Sequence, residues 1–163
     1  MNKHLIVMGV SGCGKSSLAQ ALATAMKWTC IEGDAFHPPT NVEKMRAGVA
    51  LTDADRAGWL DALGQQLQQH EQAVLTCSAL RLAYRNRLRQ SSPGVGFVHL
   101  MLTQEQASAR VAQRSDHYFN PALVASQFQT LESTAAEADV LELDATASPE
   151  VLLKAVTQWL SQD

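Results

Sequence analysis

The sequence predicts an α/β domain, a parallel five-stranded sheet with helices on both faces. Three observations predict it. Apolar runs of strand length alternate with helical patterns along the chain. The first run ends in a glycine-rich turn that opens directly into a helix. The 163 residues suit one domain with a single sizeable core, and no repeat, low-complexity tract or linker divides them.

Leu5 to Met8 is short, continuous and followed by glycines, as expected of a strand buried on both faces. Over 15–26, Leu18, Leu22 and Met26 recur at four-residue spacing and give a helix one apolar face. Trp28 to Ile31 reads as a second strand. A loop with Pro38 and Pro39 precedes a helix over 40–47. Thr52 has the character of an N-cap, with Asp53 and Asp55 in the first turn, where carboxylates suit the helix dipole. Trp59, Leu60, Leu63 and Leu67 continue that helix's apolar stripe.

Ala73 to Thr76 is another buried strand, 81–90 a basic helix, and Phe97 to Leu102 a fourth strand. Thr103 and Gln106 have capping-box spacing and start a helix reaching about Arg114. Pro121 stands at a first-turn position of a helix over 121–131. Val140 to Leu143 is the fifth strand. Ser148-Pro149 opens the last helix, with Leu152, Val156 and Trp159 on its apolar side.

Composition narrows the function classes. Apolar residues make up 46% and charged residues 18%, a globular balance that argues against disorder. Net charge is −3 and no basic cluster is broad enough for a nucleic-acid footprint. No stretch approaches the roughly 20 apolar residues of a membrane span. The start of the chain lacks a signal-peptide pattern, so an untargeted, cytoplasmic protein is expected. Cys13, Cys30 and Cys77 are odd in number and lack framework or zinc-site spacing, which predicts reduced thiols.

The strongest signal is Gly9-Val10-Ser11-Gly12-Cys13-Gly14-Lys15-Ser16, a complete G-x-x-x-x-G-K-[ST] between a buried strand and a helix. Glycines let the backbone fold into a nest of N–H donors around phosphate oxygens, backed by the helix N-terminus. Gly9, Ser11, Gly12, Cys13, Gly14, Lys15, Ser16 and Ser17 form the expected nucleotide-binding set. Lys15 reaches the β- and γ-phosphates of ATP, and the Ser16 hydroxyl is the Mg²⁺ ligand. The chain lacks an Asn-Lys-x-Asp base-reading motif in its later half, which weakens a GTPase reading. A small-molecule kinase fits best.

Asp34 follows the second strand in Glu32-Gly33-Asp34-Ala35-Phe36-His37-Pro38. Neighbouring parallel strands end at one edge, so this acid is expected beside the phosphate loop, where it can orient an acceptor hydroxyl and accept its proton. Arg110 and Arg114 stand one turn apart before Asp116-His117-Tyr118.

These motifs resemble the gluconate kinase family, within the P-loop kinases that include shikimate and adenylate kinases. The matching stretches are the phosphate loop, Gly33-Asp34-x-x-His37-Pro38, Asn41-x-x-Lys44-Met45-x-x-Gly48, and Asp53-x-Asp55-Arg56-x-x-Trp59-Leu60. Cys77-Ser78-Ala79-Leu80, Tyr84-Arg85-x-x-Leu88-Arg89 and Ser126-Gln127-Phe128-x-x-Leu131-Glu132 follow in the family's order. Glu32, Ala50, Gly58 and Arg81 depart from residues usual there.

The resemblance implies a nucleoside/shikimate kinase-like fold, with an acceptor-binding segment at about 35–60 and a lid at about 110–122. It implies ATP-dependent phosphorylation of D-gluconate at C6, with Mg²⁺ as cofactor, and a homodimer. Lys15, Asp34 and Arg114 are then the catalytic residues, and Arg110 meets the nucleotide. An aldonate carries a carboxylate, so cations are expected in its site; Asp34, His37, Lys44, Arg56 and Arg85 are the candidate substrate contacts. The competing readings are another acceptor (shikimate, another aldonate or a nucleoside monophosphate) and an ATP-binding regulatory module without transferase activity.

Overall fold

The structure, a computed structural model, describes residues 4–113 and 120–162. Five strands, β1 (His4–Met8), β2 (Thr29–Glu32), β3 (Ala73–Thr76), β4 (Gly96–Met101) and β5 (Val140–Asp144), form one sheet in the order β2-β3-β1-β4-β5. Every pairing is parallel, with Leu5 opposite Val74 on one side and Gly96 on the other. The expected fold class holds.

Alternation along β1 explains the two layers. Leu5 and Val7 face α1 (Lys15–Met26) and α7 (Pro149–Leu160), packing with Leu18, Leu22, Leu152 and Val156. Ile6 and Met8 point the other way, to the Trp59, Leu60, Leu63 and Leu67 stripe of α3 (Asp53–Gln69) and to Leu88 of α4 (Leu82–Ser91). Leu5 to Met8 of β1 are fully buried because both faces of the strand are covered. Each such leucine contributes about 1.5–3 kcal/mol by leaving water.

A third apolar cluster lies apart from these two layers. Val10 of the phosphate loop packs with Met45 of α2 (Pro39–Arg46), Leu51, Leu80, Ala107 and Val111 of α5 (Gln104–Ala112), Leu123, and Val124 of α6 (Val124–Thr130). It anchors the segments that surround the phosphate loop. The capping signals are realised: Thr52 and Asp55 form a reciprocal capping box, as do Thr103 and Gln106.

Some boundaries move. Arg81 is the N-cap of α4 and not part of it. The helix expected over 121–131 is a 3₁₀ turn, Pro121–Leu123, running into α6. The helix expected to reach Arg114 is described to Ala112; Arg114 and the rest of 114–119, the centre of the expected lid, lie outside the described residues. Among the described residues no helix is long and apolar enough to cross a membrane.

Candidate active site

The phosphate loop joins β1 to α1. Gly9 has φ +143°, and a Cβ there would lie 2.7 Å from the Leu100 carbonyl oxygen and 2.8 Å from Cys13 Sγ. Only glycine fits. Cys13 is buried inside the loop, filling the space beneath Gly9. Lys15 curls over the loop and donates to the carbonyls of Gly9 (3.0 Å) and Val10 (3.1 Å). Ser17 lies on the exposed side of α1.

β2 brings its carboxyl end alongside. Ser16 Oγ donates to Glu32 Oε2 at 3.0 Å, and Thr76 Oγ1 donates to the same oxygen at 2.9 Å. Glu32 Oε1 is buried with no hydrogen-bond partner among the described residues. A buried carboxylate oxygen beside a phosphate-loop hydroxyl is the hard-oxygen donor set a Mg²⁺ ion or its bound water takes. The residues therefore fit the metal.

Asp34 follows in a 3₁₀ turn, Gly33–Phe36. This turn is pinned from two sides. Gly33 N–H donates to Thr76 Oγ1 (3.1 Å), and the Gly33 carbonyl accepts from Trp59 Nε1 (2.8 Å). A Cβ on Gly33 would sit 2.0 Å from the Thr76 carbonyl oxygen, so the backbone approaches β3 as closely as glycine alone allows. Asp34 lines an open cleft together with Ser11, Lys15, His37, Arg56, Trp59, Ser126 and Gln127. The phosphate loop and the acid share one cleft, as the parallel topology requires.

His37 stacks on Trp59, ring centroids 4.0 Å apart, with Nε2 3.8 Å from Asp34 Oδ1. Burial lowers its pKa to about 4, against the opposing pull of Asp34. Asn41 Nδ2 is a donor and lies 3.3 Å from His37 Nδ1, so the proton of the neutral ring sits on Nε2, facing Asp34. His99 on β4 is similarly neutral. Thr134 Oγ1 gives its proton to Glu142, so His99 Nδ1 must be the donor to Thr134. Burial lowers this histidine also to about 4.

Both rings titrate near 6.5 in the unfolded chain, which therefore binds protons first as pH falls from 6.5 toward 4. Stability is then lost through that window. We expect about 2 kcal/mol of loss from His99 between pH 7.5 and 5, and a similar loss from His37, whose side chain is only 4% exposed. Urea midpoints at the two pH values check this, and His99→Asn should flatten the slope; an unchanged wild-type midpoint contradicts it.

The expected cations separate. Arg56 lines the cleft, its Nη1 donating to the Leu51 carbonyl (2.7 Å) and Tyr84 hydroxyl (3.1 Å); Tyr84 in turn donates to Asp53. Lys44 is not in the cleft lining: its ammonium lies 2.9 Å from both oxygens of Asp55. The Thr52 backbone N–H, followed by Lys44, holds the Asp55 carboxyl down at about 2.

Arg85 corrects the sequence expectation most sharply. Its side chain is 0% exposed and is not among the residues lining the cleft. It donates to Glu137 through Nε and Nη2 (2.8 Å to Oε2), to the Ala79 carbonyl (2.7 Å), and to the carbonyls of Glu132 and Ser133. It fastens the turn after β3, whose Ser78 lines the cleft, to the 132–137 loop. Arg89 joins the same network through Glu137 and Asp139.

Arg110 bridges two loops, donating to the Gly12 carbonyl and to the Ala145 carbonyl after β5, each at 3.2 Å. Two site residues were missed in the sequence. Glu32 registered only as a departure from the family pattern. Gln127, whose Oε1 accepts the Ser11 N–H at 2.6 Å, lay in a matching motif but had no local signal for a role.

The comparisons with known proteins agree with this geometry. A family profile described as an AAA domain matches residues 5–138. Gluconokinase of Gluconobacter oxydans is 43% identical over 156 residues, covering 93% of this chain and 88% of that protein. The crystal structure of a gluconokinase from Sinorhizobium meliloti superposes with a TM-score of 0.90 at 38% identity, covering 99% of this chain and 94% of that one. Shikimate kinase from Aquifex aeolicus, at 15% identity, has a TM-score of 0.66 with 97% of this chain and 96% of its own covered, and so shares the fold. With such identity running through nearly the whole chain, and the acid after β2 meeting the phosphate loop in one cleft, this chain belongs to the gluconokinase family of P-loop kinases.

Proposed function

We propose that this protein transfers the γ-phosphoryl group of ATP to the C6 hydroxyl of D-gluconate. The observation that carries the reading is the cleft itself, with Lys15 and Ser11 of the phosphate loop, Asp34, and the cation Arg56 around one space. An anion with a hydroxyl at its far end is the ligand such a cleft suits. The neutral relatives of gluconate lack the charge that Arg56 would meet.

The chain's residues divide the work. Lys15 exchanges the Gly9 and Val10 carbonyls for phosphate oxygens, while the loop amides and the α1 N-terminus balance the remaining charge. Ser16 and Glu32 would hold Mg²⁺, which when bound screens the phosphates. Asp34 aligns the attacking hydroxyl and takes its proton as the new O–P bond forms. Neutral His37 presents Nε2–H toward Asp34 and keeps that carboxylate oriented. Arg56, its guanidinium already fixed on one side by Leu51 and Tyr84, pairs with the gluconate carboxylate. The acceleration comes from positioning and electrostatics, without a covalent intermediate. A homodimer, a cytoplasmic location and an acceptor segment over 35–60 belong to the same reading.

Initial rates of ADP release with D-gluconate, other sugar acids and shikimate test it. D-gluconate is expected to give the highest kcat/KM. Arg56→Gln should raise the gluconate KM roughly 10- to 100-fold, the loss of a charge-assisted contact, while the KM for ATP stays within a factor of about 2. ATP binding without ADP release in excess gluconate would overturn the reading.

A further inference from the structure

Gln127 lies 116 residues beyond Ser11 in sequence, yet its side chain accepts the Ser11 N–H at 2.6 Å. A backbone N–H is only a donor, so the partner must be the carboxamide oxygen. This fixes which way the amide points. Oε1 faces the phosphate loop, and Nε2, which can only donate, is left for the cleft that Gln127 lines. No described residue accepts a hydrogen bond from Nε2, and Gln127 is only partly buried. A donor held rigidly at one end and unspent at the other is prepared for a ligand.

We propose that Gln127 is a substrate-contacting specificity residue, its Nε2 donating to the hydroxyl next to the one that reacts. The proposal rests on the gluconate reading and deepens it. Asp34 takes the terminal hydroxyl and Arg56 the carboxylate, leaving the polyol chain between them to be recognised. Gln127 is tied to the phosphate loop, so its donor serves the reacting end of that chain: the C5 hydroxyl. The fixed amide thus joins the nucleotide half of the cleft to the acceptor half, and selects acceptors with a hydroxyl on the penultimate carbon.

The test compares D-gluconate with 5-deoxy-D-gluconate, in wild type and Gln127→Met. Wild type is expected to prefer D-gluconate by about 10-fold in kcat/KM, the value of one neutral hydrogen bond to a group otherwise left unpaired. In Gln127→Met, which also strips the Ser11 N–H of its acceptor and so lowers both rates, the preference should fall to within about 2-fold because D-gluconate loses more. Equal loss on both acceptors would mean that Gln127 only shapes the loop or meets the phosphoryl group, and would overturn the proposal. So would a wild-type enzyme indifferent to the C5 hydroxyl, a measurement that needs no variant to fold. A wild-type protein inactive on D-gluconate would instead reject the proposed function itself.

Discussion

Asp34→Asn is expected to bind ATP within a factor of about 3 of wild type and to turn over D-gluconate about 10³-fold more slowly. Asparagine preserves the shape and can still accept a hydrogen bond from the acceptor hydroxyl, but cannot take its proton. The loss should therefore fall on kcat more than on KM, as for an interaction made in the transition state. Stability should change little, because the Asp34 side chain is about half exposed (52%) and the turn beneath it is held by the Gly33 backbone bonds to the Thr76 and Trp59 side chains. Single-turnover kinetics with an independent ATP-binding titration separate the terms. Wild-type turnover in the variant would remove Asp34 from the chemistry and leave the cleft without its base.

What could be read from the sequence follows from the range of the interactions concerned. The phosphate loop is written locally: its glycines are dictated by φ and close approach within a few residues, so the pattern carries the geometry. Asp34 was legible one step further, since parallel strands deliver their carboxyl ends to one edge whatever the loops do. The caps at Thr52 and Thr103 were legible for the same local reason. Arg85 was not. Helical spacing puts it on a face with Arg81 and Arg89, but periodicity is silent on what covers that face. Its partner Glu137 lies 52 residues away, on a loop whose position only the packed fold determines. Gln127 and Ser11 are still further apart, and a glutamine carries no signal until its neighbour is known. Lys44 misled through chemistry, because a lysine in an acceptor segment reads as an anion contact when its acid, Asp55, is part of a helix cap.

Arg85→Met provides the second large effect, on stability and not on catalysis. A buried guanidinium that loses its charge leaves the Ala79, Glu132 and Ser133 carbonyls short of a donor and Glu137 dependent on Arg89 alone. At present the hydrogen bonds and charges of Arg85 and Arg89 outweigh burial and hold the Glu137 carboxyl below its usual range. Breaking one side of such a network costs about 3–5 kcal/mol, or about 10 °C in Tm for a domain of this size. Arg85→Lys should recover only part of this, since an ammonium cannot match the forked contacts to Glu137 and the carbonyls together. Below the shifted Tm the folded variant should keep a gluconate KM within a factor of about 3. The pattern is the reverse of that expected for Arg56→Gln, where KM rises and Tm holds. If Arg85→Met instead raised the gluconate KM 10-fold at unchanged Tm, the buried network would be incidental and Arg85 would return to the acceptor site. The comparison thus distinguishes an arginine that binds substrate from one that builds the wall behind it.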